Sequence, residues 1–168
     1  MQELARAPLI EIVQKHFALG DDSIHGICHW GRVLENGLRL AETTGADVEV
    51  VSLFALFHDS CRENDGADRM HGPRAAKFVR EMSFALSLSD TQVNLLVEAV
   101  AGHTNKLHHK DPTIATCWDA DRLDIGRTGC RINPVFLNTK AACTPEILAW
   151  AQQRGMEGQV PDFINQYL

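Results

Sequence analysis

A chain of 168 residues that is 45% hydrophobic and 23% charged has the composition of an ordinary globular protein, with enough length for one domain and a substantial core. The formal net charge of −6 argues against a broad basic face for nucleic acid or an anionic membrane. A small anionic substrate stays compatible where local cations and a metal reverse the field inside a cleft.

No stretch reaches the roughly 18 consecutive apolar residues of a membrane span. The start Met1-Gln2-Glu3-Leu4 lacks a basic-then-apolar leader, so a cytoplasmic location is expected. The five cysteines (Cys28, Cys61, Cys117, Cys130, Cys143) are odd in number and form no Cys-x-x-Cys pair. They are expected to be reduced thiols. Cys28, Cys61 and Cys117 fall near candidate metal ligands, which keeps thiol ligation open.

Helical periodicity dominates the chain and strand-like alternation is scarce. Leu4, Leu9, Ile12, Val13 and Phe17 predict a first helix, broken or shaped at Pro8 and ended by Gly20. Asp21-Asp22-Ser23 offers a cap for a long second helix that runs to Gly45. A third, from about Asp47 to His58, is almost entirely apolar and is expected at the centre. A polar loop follows from Arg62 to Asp68, and His71-Gly72-Pro73 opens a fourth helix with proline in its first turn. Ser89-Asp90 caps a fifth helix reaching about His103. Pro112-Thr113 begins a sixth that carries Asp121, and Thr144-Pro145-Glu146 begins another that ends near Gly155. No repeat or linker divides the chain, so an all-α bundle is expected over 1–168, with its motif-bearing core at about 20–135 and a C-terminal helical segment at 145–168.

Chemistry concentrates in three segments: His29-Trp30-Gly31-Arg32-Val33, Phe57-His58-Asp59-Ser60 and Asp119-Ala120-Asp121-Arg122-Leu123. Each lies in an apolar, helix-patterned stretch, where an unpaired polar group is costly to bury and a divalent metal supplies the missing partner. His29 has Arg32 one turn beyond it, aimed along the same face toward a bound anion. Neighbours on a helix diverge by about 100°, so His58 and Asp59 converge on one ion only where it sits between their two directions. His71 and His103 add nitrogen ligands, enough for one metal or two. As plain helix-end groups, His71 would serve as a cap and His103 would answer the helix dipole. His25 reads as a core or supporting group, and His108-His109 as solvent-facing. Asp119 reads as solvated, and Asp124 as either solvated or a support for a histidine ligand or a substrate hydroxyl.

The order of these segments resembles the HD-domain superfamily of metal-dependent phosphohydrolases, over roughly residues 20–135. The resemblance implies a single-domain HD-type helical bundle of about seven helices, with metal held by His29, His58, Asp59 and Asp121. Two-metal branches of the superfamily further imply His71 and His103 as ligands of a second ion. The expected cofactor is one or two divalent ions (Mn, Mg, Co, Ni or Fe). The element Asp-Ala-Asp-Arg-Leu-Asp at Asp119 to Asp124 is similar to that of small bacterial members acting as nucleotide phosphohydrolases or pyrophosphohydrolases. Hydrolysis of a phosphoester or phosphoanhydride in a small nucleotide-like substrate is therefore expected. A diiron oxygenase and a non-catalytic nucleotide sensor are the alternatives, and association into a homo-oligomer is left open.

Hydrolysis needs a group to position water or move a proton as well as a metal. Glu63, four residues beyond Asp59, is the first candidate, followed by Asp65 and then Asp68. Cations for a phosphorylated substrate are sought in Arg32, Arg62 and Arg74, since arginine grips phosphate with two prongs. Asp124 completes the substrate-binding set.

Overall fold

The computed structural model describes residues 2–20 and 22–167. Among them are seven α-helices and no strand: α1 (Gln2–His16), α2 (Ile27–Thr44), α3 (Val48–Phe57), α4 (His71–Met82), α5 (Asp90–Gly102), α6 (Pro112–Arg122) and α7 (Pro145–Glu157). Short 3-10 turns follow α4 at 83–85 and α6 at 123–128, and others lie at 134–136 and 162–167. The helices are all-α as the periodicity predicts, and their caps explain most boundaries. Asp47 accepts from the backbone N–H of Glu49 and Val50 to start α3, and Ser89 with Gln92 forms a reciprocal capping box on α5. Asp111 and Thr144 start α6 and α7, each followed by proline at the first helical position.

Three boundaries differ from expectation. α1 runs unbroken through Pro8 and ends at His16, ahead of Gly20. α2 begins at Ile27, with Gly26 as its unassisted cap. Asp21, offered as a cap residue, lies outside the described residues, while Ser23 builds the preceding turn, its hydroxyl accepting from His25 N at 3.1 Å. α7 continues past Gly155 to Glu157 and stops at Gly158, whose left-handed φ of 62° suits glycine.

The apolar helix α3 is the hub. Val50, Val51, Leu53, Phe54, Ala55 and Phe57 are all buried, against α2, α5 and α6. A nearly uniform apolar circumference has no solvent face to offer, so the other helices close around it. Gly37 lets α2 approach, because a Cβ there would stand 2.5 Å from Val51 Cγ1. Trp118 of α6 is fully buried and donates its indole N–H to Ala99 O of α5 at 2.9 Å, locking those two helices. Leu40, Leu123, Leu137, Ala142 and Ala151 form a smaller second core beneath α7. No helix among the described residues is long and apolar enough to cross a membrane.

Candidate metal centre

Six side chains from five helices and their ends converge inside the bundle. His29 comes from α2, His58 and Asp59 from the end of α3, His71 from the start of α4, His103 from the end of α5 and Asp121 from α6. All except Asp121 are almost completely buried, and the Asp121 side chain keeps 19% of its surface exposed. The ligand atoms fall into two groups that share Asp59. Asp59 Oδ2 lies 3.5 Å from His29 Nε2 and 3.6 Å from His58 Nε2, while Asp121 Oδ1 lies 3.4 and 3.8 Å from the same two nitrogens. Asp59 Oδ1 faces the other pair, 3.1 Å from His71 Nε2 and 3.7 Å from His103 Nε2.

The other nitrogen of each ring determines what these contacts mean. His29 Nδ1 donates to Asp124 Oδ2 at 2.7 Å, His58 Nδ1 to Ala55 O at 3.0 Å, His103 Nδ1 to Val100 O at 2.7 Å, and His71 Nδ1 to Asp68 O. Every one of those partners is an acceptor, so Nδ1 carries the proton and Nε2 of a neutral ring presents a lone pair, which at His71 or His103 the Thr104 hydroxyl can meet. Yet the Nε2 atoms meet in pairs, His29 with His58 at 3.0 Å and His71 with His103 at 2.8 Å. Lone pairs held face to face repel unless a cation lies between them. Ligands at right angles around a divalent ion, each about 2.1 Å from it, stand about 3 Å apart, which is the spacing seen. The residues present therefore fit a metal, and His29, His58 and Asp121 in one group, with Asp59, His71 and His103 in the other, could hold one. The donors are imidazole and carboxylate only, a set suited to Mn, Fe, Co, Ni or Zn. No cysteine enters a group among the described residues, so thiol ligation is not supported.

Without a metal, a proton does part of the same work. Burial alone would pull the His29 pKa down, but its hydrogen bonds with Asp121, Asp124 and Asp59 outweigh that and raise it to about 9. Burial carries His58 the other way, to about 3, despite the attraction of Asp59 and Asp121. Asp59 is held well below the usual carboxylate range: burial opposes this, and His58 together with hydrogen bonds from His103, His25 and His29 overcomes it. His29 would therefore have to give up a proton to hold a metal at any pH below about 9. We predict that affinity of the His29 group for Mn rises close to tenfold per pH unit between pH 6.5 and 8.5, with about one proton released from His29 when that group is filled. Calorimetry in buffers of different ionisation enthalpy measures that proton, and a pH-independent affinity with none released would contradict the assignment. The sign reverses for the metal-free protein. Its stabilisation from His29 is complete below the ordinary value of 6.5 and is lost as pH rises through about 9.

Several residues expected at the centre stand elsewhere or do different work. Glu63 is exposed, its side chain retaining 70% of its surface, and its carboxylate faces Arg74 at 3.5 Å rather than the ligands. Asp65 accepts from Ser23 Oγ at 2.6 Å on the surface. Asp68 is occupied with the loop, accepting from Glu63 N, Met70 N and Arg74. The expectation that Glu63 or Asp65 moves the proton is thus not supported by the geometry: the polar loop closes on itself through Arg62 and Arg74 and turns both acids outward. Arg32 is buried and spends its Nε on Asp124 at 2.7 Å and its Nη1 on Gln159 O at 3.0 Å. Arg62 donates to Asp59 Oδ1 at 3.1 Å and to the carbonyls of Asn64 and Gly66. Arg74 pins Cys61 O and Asp68. Asp124 uses both oxygens internally, on His29 and Arg32. These four, expected to bind substrate, are engaged within the protein on ligands and loops, and the buried Arg32 and Asp124 take each other as fixed partners.

Asp119, expected to be solvated, is completely buried and accepts from Asn138 N, Asn138 Nδ2 and Thr139 N, holding the 138–139 segment against α6. His25 donates Nδ1–H to Asp59 Oδ2 at 2.8 Å, in line with a supporting role. His109 is half-buried, its ring edge against Trp118, rather than solvent-facing. One residue was not anticipated. The Thr104 hydroxyl lies 2.9 Å from His71 Nε2 and 3.2 Å from His103 Nε2, adjacent to a histidine that the sequence does single out.

No family model matches the chain, and no curated protein matches it. Among solved structures it resembles the crystal structure of a predicted HD superfamily hydrolase from an uncultured Thermotogales bacterium, with a TM-score of 0.68 and 24% identity over 96% of this chain and 91% of that one. Nearly the whole of both chains superposes, so the bundle that carries these histidines and aspartates is the HD-type helical fold.

Proposed function

We propose that the protein is a metal-dependent phosphohydrolase of the HD superfamily in which His29, His58 and Asp121, and Asp59, His71 and His103, would hold one or two divalent ions, and that it cleaves a phosphoester or phosphoanhydride of a small nucleotide-like substrate. The observation that carries the reading is the pair of facing Nε2 atoms on each side of one shared carboxylate. When bound, divalent ions lower the pKa of water and offset charge on phosphate oxygens. This chain's part is to fix the ligands: four Nδ1–H donors set the ring tautomers, and Arg62 and His25 set the Asp59 carboxylate. Asp121, the partly exposed member, marks the side from which a substrate reaches the centre. With Glu63 and Asp65 turned away, the reading needs no separate carboxylate base; Thr104, on the same side as His71 and His103, orients water by its hydroxyl.

The test combines metal identification with a phosphate-release screen. Protein loaded with Mn, Mg, Co or Ni is offered nucleoside mono-, di- and triphosphates, and release of phosphate or pyrophosphate from one of them is the expected result. Nucleotide binding without product would turn the reading toward a sensor. Iron-loaded protein that consumes oxygen with an organic substrate, and cleaves no phosphate bond, would replace hydrolysis by oxygenation.

A further inference from the structure

A cavity of about 410 Å³ opens beside the His71 and His103 half of the centre, lined by His103, Thr104 and residues of the segments 105–107 and 130–137. Its size is that of a small-molecule site, for which about 300–1,000 Å³ is usual. Its chemistry departs from the rest of the molecule. In a chain of net charge −6, this cavity is lined by three cations, Lys106, Arg122 and Arg131, and by no aspartate or glutamate.

The three cations are not equivalent. Arg122 is fully spent: its guanidinium donates to the backbone carbonyls of Lys106, Leu107 and Phe136, which ties the two walls together. Lys106 lies 3.7 Å from Glu98 and is partly neutralised. Arg131 has no hydrogen bond or ion pair among the described residues, and it is exposed at the cavity. The rest of the lining is mainly apolar, including Ile125, Ile132, Phe136 and Leu137. The cavity thus combines a candidate metal ligand, an apolar lining and an unengaged guanidinium.

We propose that this cavity is the subsite for the leaving group, and that it selects phosphate esters whose apolar body carries a second anionic group, which Arg131 binds. The proposal rests on the phosphohydrolase reading for the esterified phosphate, but the subsite itself is a matter of binding. A planar guanidinium grips a carboxylate with two parallel hydrogen bonds, and the apolar lining holds a ring or short chain in between.

The experiment compares phenyl phosphate with 4-carboxyphenyl phosphate on the Mn-loaded protein. The carboxylated ester is expected to show a kcat/KM about 10- to 100-fold higher, mostly through KM, the range expected of one charge-assisted contact. Arg131→Ala is expected to remove most of that ratio, and Arg131→Lys to keep part of it. Equal kcat/KM for both esters in the wild type, or an equal fall for both in Arg131→Ala, overturns the subsite. A second measurement needs no turnover. Titration of 4-hydroxybenzoate and of phenol, followed by the methyl NMR signals of Ile125, Ile132 and Leu137, is expected to show tighter binding of the benzoate, weakened in Arg131→Ala. If neither ester is cleaved while that binding pattern appears, the phosphohydrolase reading fails and the subsite stands. If those signals do not move for either compound, the subsite falls whatever the protein hydrolyses.

Discussion

Asp59→Ala is expected to empty both halves of the centre at once. One carboxylate serves two groups of ligands, Oδ2 facing His29 and His58 and Oδ1 facing His71 and His103, so its loss takes an oxygen from each. The affinity loss is expected to exceed about 100-fold, the upper end of what removing a mere supporting partner costs. Arg62 and His25 lose their acceptor as well, and breaking a buried pair by deleting one partner destabilises by about 3–5 kcal/mol. The apolar hub of α3 is untouched, so the far-ultraviolet circular dichroism should remain helical at low temperature while the melting temperature falls. Metal content after dialysis against Mn reads the first effect, and His71→Ala serves as the contrast, since it strips a ligand from one half only. An Asp59→Ala protein that keeps its full complement of ions would remove Asp59 from the centre.

Much of this architecture is legible in the sequence because it depends on local signals. Ser89 with Gln92, Asp111 before Pro112 and Thr144 before Pro145 are caps written in three or four residues, and each starts a helix. The ligand histidines stand out for a related reason. His58, His71 and His103 sit at helix ends, where free carbonyls or loop carbonyls are available to take Nδ1–H, so position along the chain and chemistry coincide. The partners of the arginines are not legible in the sequence, because they are remote or belong to the backbone. Arg32 reaches Gln159, 127 residues away, and Arg122 meets three carbonyls that no side-chain pattern marks. The same applies to the run Asp119 to Asp124. Helical phase separates its three carboxylates, but only packing decides that Asp119 holds the 138–139 segment, Asp121 faces the histidines and Asp124 lies behind His29. Glu63 has the right distance in sequence from Asp59, but the loop between them turns on Arg62 and Arg74 and carries it outward.

Asp124→Asn tests whether the supporting carboxylate governs the metal through the proton on His29. The substitution keeps the size of the side chain but replaces one acceptor oxygen by an NH₂ donor. Asp124 is almost wholly buried, with Oδ2 accepting from His29 Nδ1–H and Oδ1 accepting from Arg32 Nε–H, both at 2.7 Å. An asparagine can satisfy only one of them. If its oxygen stays with Arg32, its NH₂ faces His29 Nδ1, and the ring relieves the clash by moving its proton to Nε2, the atom aimed at His58 and the metal. If the amide flips, His29 keeps its tautomer and the buried Arg32 guanidinium loses its carboxylate. The first arrangement is expected to lower metal affinity by about 10- to 100-fold with a small change in melting temperature. The second is expected to destabilise by about 3–5 kcal/mol with ligation largely kept. Nitrogen-15 shifts of His29 distinguish the two, since they report which ring nitrogen bears the proton. Either outcome makes Asp124 part of the centre's machinery, whereas unchanged affinity and unchanged stability together would reduce it to a bystander and leave the bare lone pair on His29 without its cause.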